Sequence, residues 1–218
     1  MPTPKEGYKL ADGTPVPGTT TIISRFKDSG PLLFWAFKRG KEGAARLYDD
    51  TATDIGTHVH AMVESDLHGR PLPEFPSGFI DEMRAAARNG FENYCREIQR
   101  SRAFFLPLEV QLVSEKHKYG GTPDAMVEFD GIIDVGDWKT SNAVYLDHVI
   151  QGAAYRWLWN ENHPEQPARG FRLYRFAKES GAFSEHYYGP EILDLAFRQF
   201  LLFREAYEND KVLKRRVG

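Results

Sequence analysis

The chain has one cysteine, Cys95, among 218 residues. That excludes an intramolecular disulfide, a cysteine zinc site and a cysteine-ligated iron–sulfur cluster. An isolated thiol on a helical pattern is read as packing, in a chain suited to a reducing compartment. Long apolar runs are missing as well, and none approaches the ~20 residues of a membrane-spanning helix. The opening stretch, MPTPKEGYKLADGTPVPG, lacks the charged-then-apolar layout of a signal peptide and the Arg- and Ser-rich character of a transit peptide. The expectation is cytoplasmic residence with no membrane partner. There is no excess of positive charge either. A net charge of −3 weighs against coating nucleic acid by bulk electrostatics, but leaves room for an enzyme that grips a few phosphates locally. The chain has no internal repeat and no low-complexity tract. A P-loop of the G-x-x-x-x-G-K-[S/T] type is absent, which excludes a helicase motor. No groove-reading motif such as a zinc finger stands out, which argues against sequence-specific recognition.

What is present is enough apolar and aromatic content for a real core, at a length that suits a single domain. We divide it into a lead-in and helical N-terminal part over 1–50, a core over 54–188, and a closing helix over 190–212. The Pro-, Gly- and Thr-rich first 20 residues are read as an irregular lead-in. Helical segments are predicted over 20–46, broken at Ser29-Gly30-Pro31, and then over 53–67 and 76–100. In the last of these, Phe79, Met83, Ala86 or Ala87, Phe91, Tyr94 and Ile98 are spaced for one buried face. Strand patterns follow at 104–113 and 124–129. Asp130-Gly131 is a strong hairpin turn, and 132–139 returns as the next strand. A helix is predicted over 145–160, ended by His163-Pro164, then a strand pair over 171–177 and 182–188, and a long helix over 190–211. The pattern is an α/β fold, with a central mixed sheet flanked by helices.

Chemistry concentrates between Gly121 and Tyr155. Side chains alternate along a strand, so Asp137 and Lys139 share a face and Trp138 points to the other. The Asp130-Gly131 turn lays the preceding strand antiparallel beside them, and a bend or bulge is invoked to bring Asp124 near Asp137. Gly120-Gly121 permits close approach of backbone or substrate, and Pro123 removes a donor where the strand begins. Two hard carboxylates with a lysine suit Mg²⁺ or Mn²⁺ held against a phosphate. Lys139 as a cation fits stabilisation of the phosphate; a general-base role would need a desolvated, neutral amine. An Asp-x-Lys triplet alone carries little weight, since its bland reading is a solvated strand face. The ordered set carries more: Gly-x-Pro-Asp, a hairpin, Asp-x-Lys-Thr-Ser, then Gln151 and Tyr155 one helical turn apart.

Taken together, these residues resemble the PD-(D/E)xK nuclease superfamily, in its RecB-like exonuclease branch. Pro123-Asp124 stands at the PD position, Asp137-Trp138-Lys139 at (D/E)xK, and Gln151 with Tyr155 at the branch's helical Q-x-x-x-Y. The segment from Gly56 to Glu64 resembles its G-x-x-x-H-x-x-x-E helix, which selects His60 over His58. A looser likeness to small phage exonucleases and the mitochondrial genome maintenance exonuclease reaches residues 16–36. The resemblance implies a restriction-endonuclease-like sheet, with His60, Asp124, Asp137 and the Trp138 carbonyl as ligands of one or two Mg²⁺ or Mn²⁺ ions. It implies catalytic roles for Asp124, Asp137, Lys139, Gln151 and Tyr155, with Glu64 orienting His60. The iron–sulfur cysteines of some relatives are absent. Recombination or repair in a bacterial or phage-infected cell follows by association, with a recombination or single-strand-binding protein as partner.

For substrate contact, Phe34, Trp35, Phe37, Tyr145, Trp157 and Trp159 are candidates to stack unpaired bases, although helical aromatics at such spacing are usually core. Trp35, Lys38, Arg39, Tyr145 and Arg156 form the candidate DNA-binding set. The C-terminal basic run from Lys211 to Arg216 is commonly a solvated tail. Glu109 is read as an exposed strand carboxylate. The expectation is a metal-dependent DNA exonuclease acting on ends of single-stranded or frayed DNA. The alternatives are a structure-selective endonuclease with the same site and a catalytically silent DNA-end-binding subunit.

Overall fold

The computed structural model describes residues 7–27, 37, 41, 51–101, 104–107, 111–141, 143–177 and 182–217. Along the chain these form β1 (Tyr8–Lys9), β2 (Pro15–Val16), α1 (Thr19–Arg25), α2 (Thr51–Leu67), α3 (Asp81–Ser101), β3 (Phe104–Pro107), β4 (Leu112–Ser114), β5 (Tyr119–Gly121), β6 (Ala125–Phe129), β7 (Ile132–Thr140), α4 (Leu146–Asn162), β8 (Gly170–Phe176), β9 (Phe183–Tyr188) and α5 (Pro190–Val217). Trp35, Lys38, Arg39, Phe34 and Glu109 lie outside the described residues.

The sheet grows from the Asp130-Gly131 turn. Both residues have positive φ, 48° and 77°, the left-handed pair that a two-residue hairpin needs to match strand twist. β6 and β7 therefore pair antiparallel with Phe129 opposite Ile132 and Ala125 opposite Gly136. β3 adds antiparallel to β6. On the other side β8 lies parallel to β7, reached through α4, and β9 returns antiparallel to β8. The result is a five-stranded mixed sheet in the order β3-β6-β7-β8-β9.

Period-two alternation along these strands feeds two separate cores. Met126, Ile133, Val135, Phe171 and Leu173 pack with Ile22 of α1, Ile150, Ala154 and Leu158 of α4, and Leu193, Phe197 and Phe200 of α5. Ala125, Val127, Trp138, Tyr174 and Phe176 pack with Val59 and Val63 of α2 and Ala87 and Tyr94 of α3. The expected buried face of α3 holds, since Met83, Ala87 and Tyr94 are buried and Phe91 and Ile98 partly so. Away from the site, buried Asp134 accepts from the Gly170 N–H at 2.8 Å and from Arg172 Nε at 2.7 Å, pinning β7 to β8. No helix among the described residues is long and apolar enough to cross a membrane.

Several expectations need correction. The strand expected over 104–113 is two elements: β3 joins the main sheet, while β4 pairs with β5 in a separate hairpin. Pro107 ends the first piece, because a proline cannot donate to a further ladder. The lead-in is not wholly irregular, for β1 and β2 form a small hairpin. It docks through the Gly18–Gly120 bridge and the Gly120 N–H to Pro17 carbonyl bond at 3.0 Å. α3 starts at Asp81, after a turn closed by the Phe79 N–H to the Pro76 carbonyl.

Candidate active site

β7 presents Asp137 and Lys139 on the α4 side of the sheet and buries Trp138 on the α2–α3 side, as alternation requires. The ladder ends at the Ala125–Gly136 pair, and Asp124 lies in a bend just before β6. The bend, one of the two devices expected from the sequence, leaves Asp124 next to Asp137. One Asp124 oxygen accepts the Trp138 N–H at 3.0 Å, so the acid is fixed by the backbone of the strand that carries the second acid. The two carboxyls lie within hydrogen-bond reach of each other, and the Lys139 ammonium bonds Asp137 directly.

Two buried acids side by side repel when both are ionised. Burial, reinforced by Asp124, pushes the Asp137 carboxyl up to about 7 against the pull of Lys139. For Asp124, burial works upward too, but Lys139, His60 and the Trp138 N–H outweigh it and hold the group below the usual range. Burial works against the Lys139 ammonium, yet Asp137, Asp124 and Asp147 together raise its pKa. Lys139 is therefore a cation, suited to stabilising phosphate rather than to taking a proton.

α2 supplies His60, whose ring bonds the Trp138 backbone and lies beside Asp124. Burial, aided by Lys139, lowers its pKa, leaving the neutral imidazole that can donate a lone pair to a metal. His58, two residues earlier, packs instead against Phe75 and Phe79 at ring-centroid distances of 4.6 and 5.4 Å. A small cavity of about 20 Å³ lies among His60, Val63, Glu64, Leu67, His68, Asp124 and Trp138. That is room for an ion or a water molecule. Glu64 lines this cavity and accepts from Arg70 at 3.2 Å.

On α4, Gln151 Nε2 donates to the Tyr155 hydroxyl at 2.9 Å, as their one-turn spacing requires. Tyr155 is buried and feels Asp137 and Asp124, which add to the effect of burial in raising its pKa. It approaches because residue 121 is glycine: a Cβ there would stand 2.6 Å from the Tyr155 ring. Gly120 is closed over by Tyr8, whose hydroxyl bonds Thr122 at 3.2 Å. Both glycines thus serve the approach of protein side chains.

Other candidates fall elsewhere. Arg156 points to α5, bonding Asp194 at 2.8 Å and the Ala168 carbonyl at 3.2 Å. Trp157 stacks on Phe197 and Trp159 on His163, which makes both packing residues. Tyr145 caps α4, half exposed, near the site. Sequence reasoning missed Asp147, which pairs with Lys27 at 2.8 Å and acts electrostatically on Lys139. It also missed Tyr8; no local pattern marks either residue, since both act across long separations in sequence.

Among the described residues, no three His, Cys, Asp or Glu side chains stand together as a ready metal cluster. The donors do suit a hard divalent cation in type and charge: two carboxyls pressed together, a neutral imidazole beside one of them and a backbone carbonyl.

No protein-family model matches the chain, and no curated protein matches it in sequence. Among solved structures it is similar to a candidate exonuclease from Eubacterium rectale. The TM-score is 0.50 at 15% identity, over 75% of this chain and 68% of that one. It also aligns with an alkaline exonuclease from Laribacter hongkongensis at a TM-score of 0.32 and 10% identity, over 77% of this chain and 92% of that one. The first comparison shows a shared α/β fold with a central mixed sheet.

Proposed function

We propose that the chain is a metal-dependent DNA exonuclease of the PD-(D/E)xK, RecB-like type, acting on the ends of single-stranded or frayed DNA. The observation that supports this best is the closeness of Asp124, just before β6, to Asp137 on β7, with Lys139 bonded to Asp137 and His60 beside Asp124. The Eubacterium rectale neighbour, described as a candidate exonuclease, agrees with it.

Asp124, Asp137, His60 and the Trp138 carbonyl would hold Mg²⁺ or Mn²⁺. When bound, the cation supplies charge neutralisation at the phosphate and acidifies attacking water. The chain's own groups do the rest. Lys139 places a fixed positive charge where the phosphate gains negative charge. Tyr155, bonded by Gln151, is buried on the α4 side, within electrostatic reach of Asp137. The Trp138 N–H holds Asp124 in its rotamer. Each group is preset by backbone or helix packing, so little reorganisation accompanies reaction.

The test is digestion of end-labelled linear single- and double-stranded DNA beside closed circles, with Mg²⁺, Mn²⁺ or EDTA, for wild type and Lys139→Ala. Metal-dependent loss of linear DNA alone, reduced at least 10²-fold by the substitution, is the expected result. Nicked circles would move the assignment to an endonuclease. Binding without cleavage by wild type in either metal would leave a silent end-binding subunit.

A further inference from the structure

The head of α4 carries an exposed pair, connected to Lys139 through Asp147. Tyr145 is 48% exposed and Leu146 71%. The Tyr145 ring is nonetheless held. Its backbone N–H donates to His148 Nδ1 at 3.4 Å, and its ring meets the His148 ring edge-on at 5.4 Å and 83°. Lys27 Nζ stands 6.0 Å from the ring centroid and is fixed by Asp147 at 2.8 Å.

Asp147 also acts on Lys139, so one carboxylate links the lysine of the catalytic pair to the lysine beside Tyr145. An ammonium has three donors. The side chain of Lys27 is 56% exposed, which leaves donors for a further anion.

A held, half-exposed aromatic ring with an adjacent aliphatic side chain and a cation matches one chemistry: a flat base joined to a phosphate. We propose that Tyr145, Leu146 and Lys27 form a subsite for one unpaired nucleobase and its adjoining phosphate at a strand end. The inference rests on the nuclease reading and deepens it, for it assigns the preference for unpaired ends to particular side chains. Asp147 is a positioning residue that holds Lys27 in place. A paired terminal base has its inner face covered by its neighbour and its edge held by its partner strand, so fraying is what frees it to seat against both Tyr145 and Leu146.

The test separates binding from cleavage. Affinities of fluorescein-labelled single-stranded oligonucleotides, with a normal or an abasic nucleotide at either end, are measured by anisotropy in Ca²⁺, with the strands verified intact afterwards. Wild type is expected to bind the normal strand about five- to a hundredfold more tightly than the strand abasic at one end. Tyr145→Ala loses that preference, Tyr145→Phe keeps it, and Leu146→Ala reduces it. Lys27→Ala weakens both strands equally. Equal wild-type affinity for normal and abasic ends, or an unchanged preference in Tyr145→Ala, overturns the subsite even if the enzyme digests DNA. A preference lost in Tyr145→Ala upholds the subsite even if wild type cleaves nothing, and then only the nuclease reading fails.

Discussion

Gly56 is the position where one methyl group should separate catalysis from stability. α2 crosses β7 there so closely that a Cβ on residue 56 would stand 2.6 Å from Thr140 Cβ and 2.7 Å from both Thr140 Cγ2 and Oγ1. Ordinary carbon contacts begin near ~3.5 Å, so Gly56→Ala demands a shift of about 1 Å. Rotation of Thr140 cannot supply it, since its Cβ is among the atoms struck. The helix must move, and it carries His60 one turn further along, away from Asp124. Overpacking of this kind costs about 1–3 kcal/mol, while alanine regains up to about 1 kcal/mol of helix propensity over glycine. The net destabilisation is therefore small, about 0–2 kcal/mol. Activity should fall far more, on the order of 10²-fold for a misplacement of this size. The assay pairs kcat/KM on end-labelled DNA with a thermal melt. Thr140→Gly removes the atoms struck, so Gly56→Ala made in that background should cost little relative to Thr140→Gly alone. Activity of Gly56→Ala within twofold of wild type would refute the reasoning, and so would a loss that persists undiminished in the double variant.

Divalent metal should raise the melting temperature of the native protein. Saturation at a hundredfold over Kd corresponds to about 2.7 kcal/mol, and differential scanning fluorimetry with Mn²⁺ should show no such gain for Asp124→Asn or His60→Ala. At the far end of α4, Glu161 accepts from Ser114 Oγ at 2.6 Å, the Lys116 N–H at 3.1 Å and Trp157 Nε1 at 3.0 Å. Burial works to raise its pKa, but these bonds outweigh it and leave it below the usual 4.5 of a glutamate. A depressed carboxyl contributes stability above its unfolded pKa and loses it as pH falls through the folded one. Glu161→Gln should thus cost about 1–2 kcal/mol at pH 7, and the gap to wild type in urea titrations should close below pH 4.5. A gap that stays constant with pH would show that the carboxylate charge has no part in it.

The legible parts of the fold were those governed by local rules. The one-turn spacing of Gln151 and Tyr155 became a hydrogen bond, and of the two histidines on α2, His58 packs on Phe75 while His60 lies beside Asp124. The alternation that sends Trp138 away from Asp137 held as well. What escaped notice depended on distant partners. Lys27 meets Asp147 only because α1 packs on α4. Tyr8 sits in a stretch with no periodicity, and its contact with Gly120 exists only because β1–β2 docks on β5. The single apolar run over 104–113 likewise carries no mark of the point where it leaves one sheet for another, apart from Pro107.

A bend, as the sequence allowed, places Asp124 beside Asp137, and counting shows how the two acids come to the same end of the hairpin. Asp124 stands six residues before Asp130, and Asp137 six after Gly131. A two-residue turn pairs positions equidistant from its ends, so the ladder runs up to Ala125 and Gly136 and the acids stand next in line, Asp124 in the bend before β6 and Asp137 within β7. Strand alternation then puts both side chains on one face. Displacing either acid by one residue would send it to the opposite face, against the packing around Trp138. The local turn chemistry of Asp130-Gly131 is therefore what brings two carboxyls together at a site some six residues away. Their mutual repulsion is what a cation held between them would relieve.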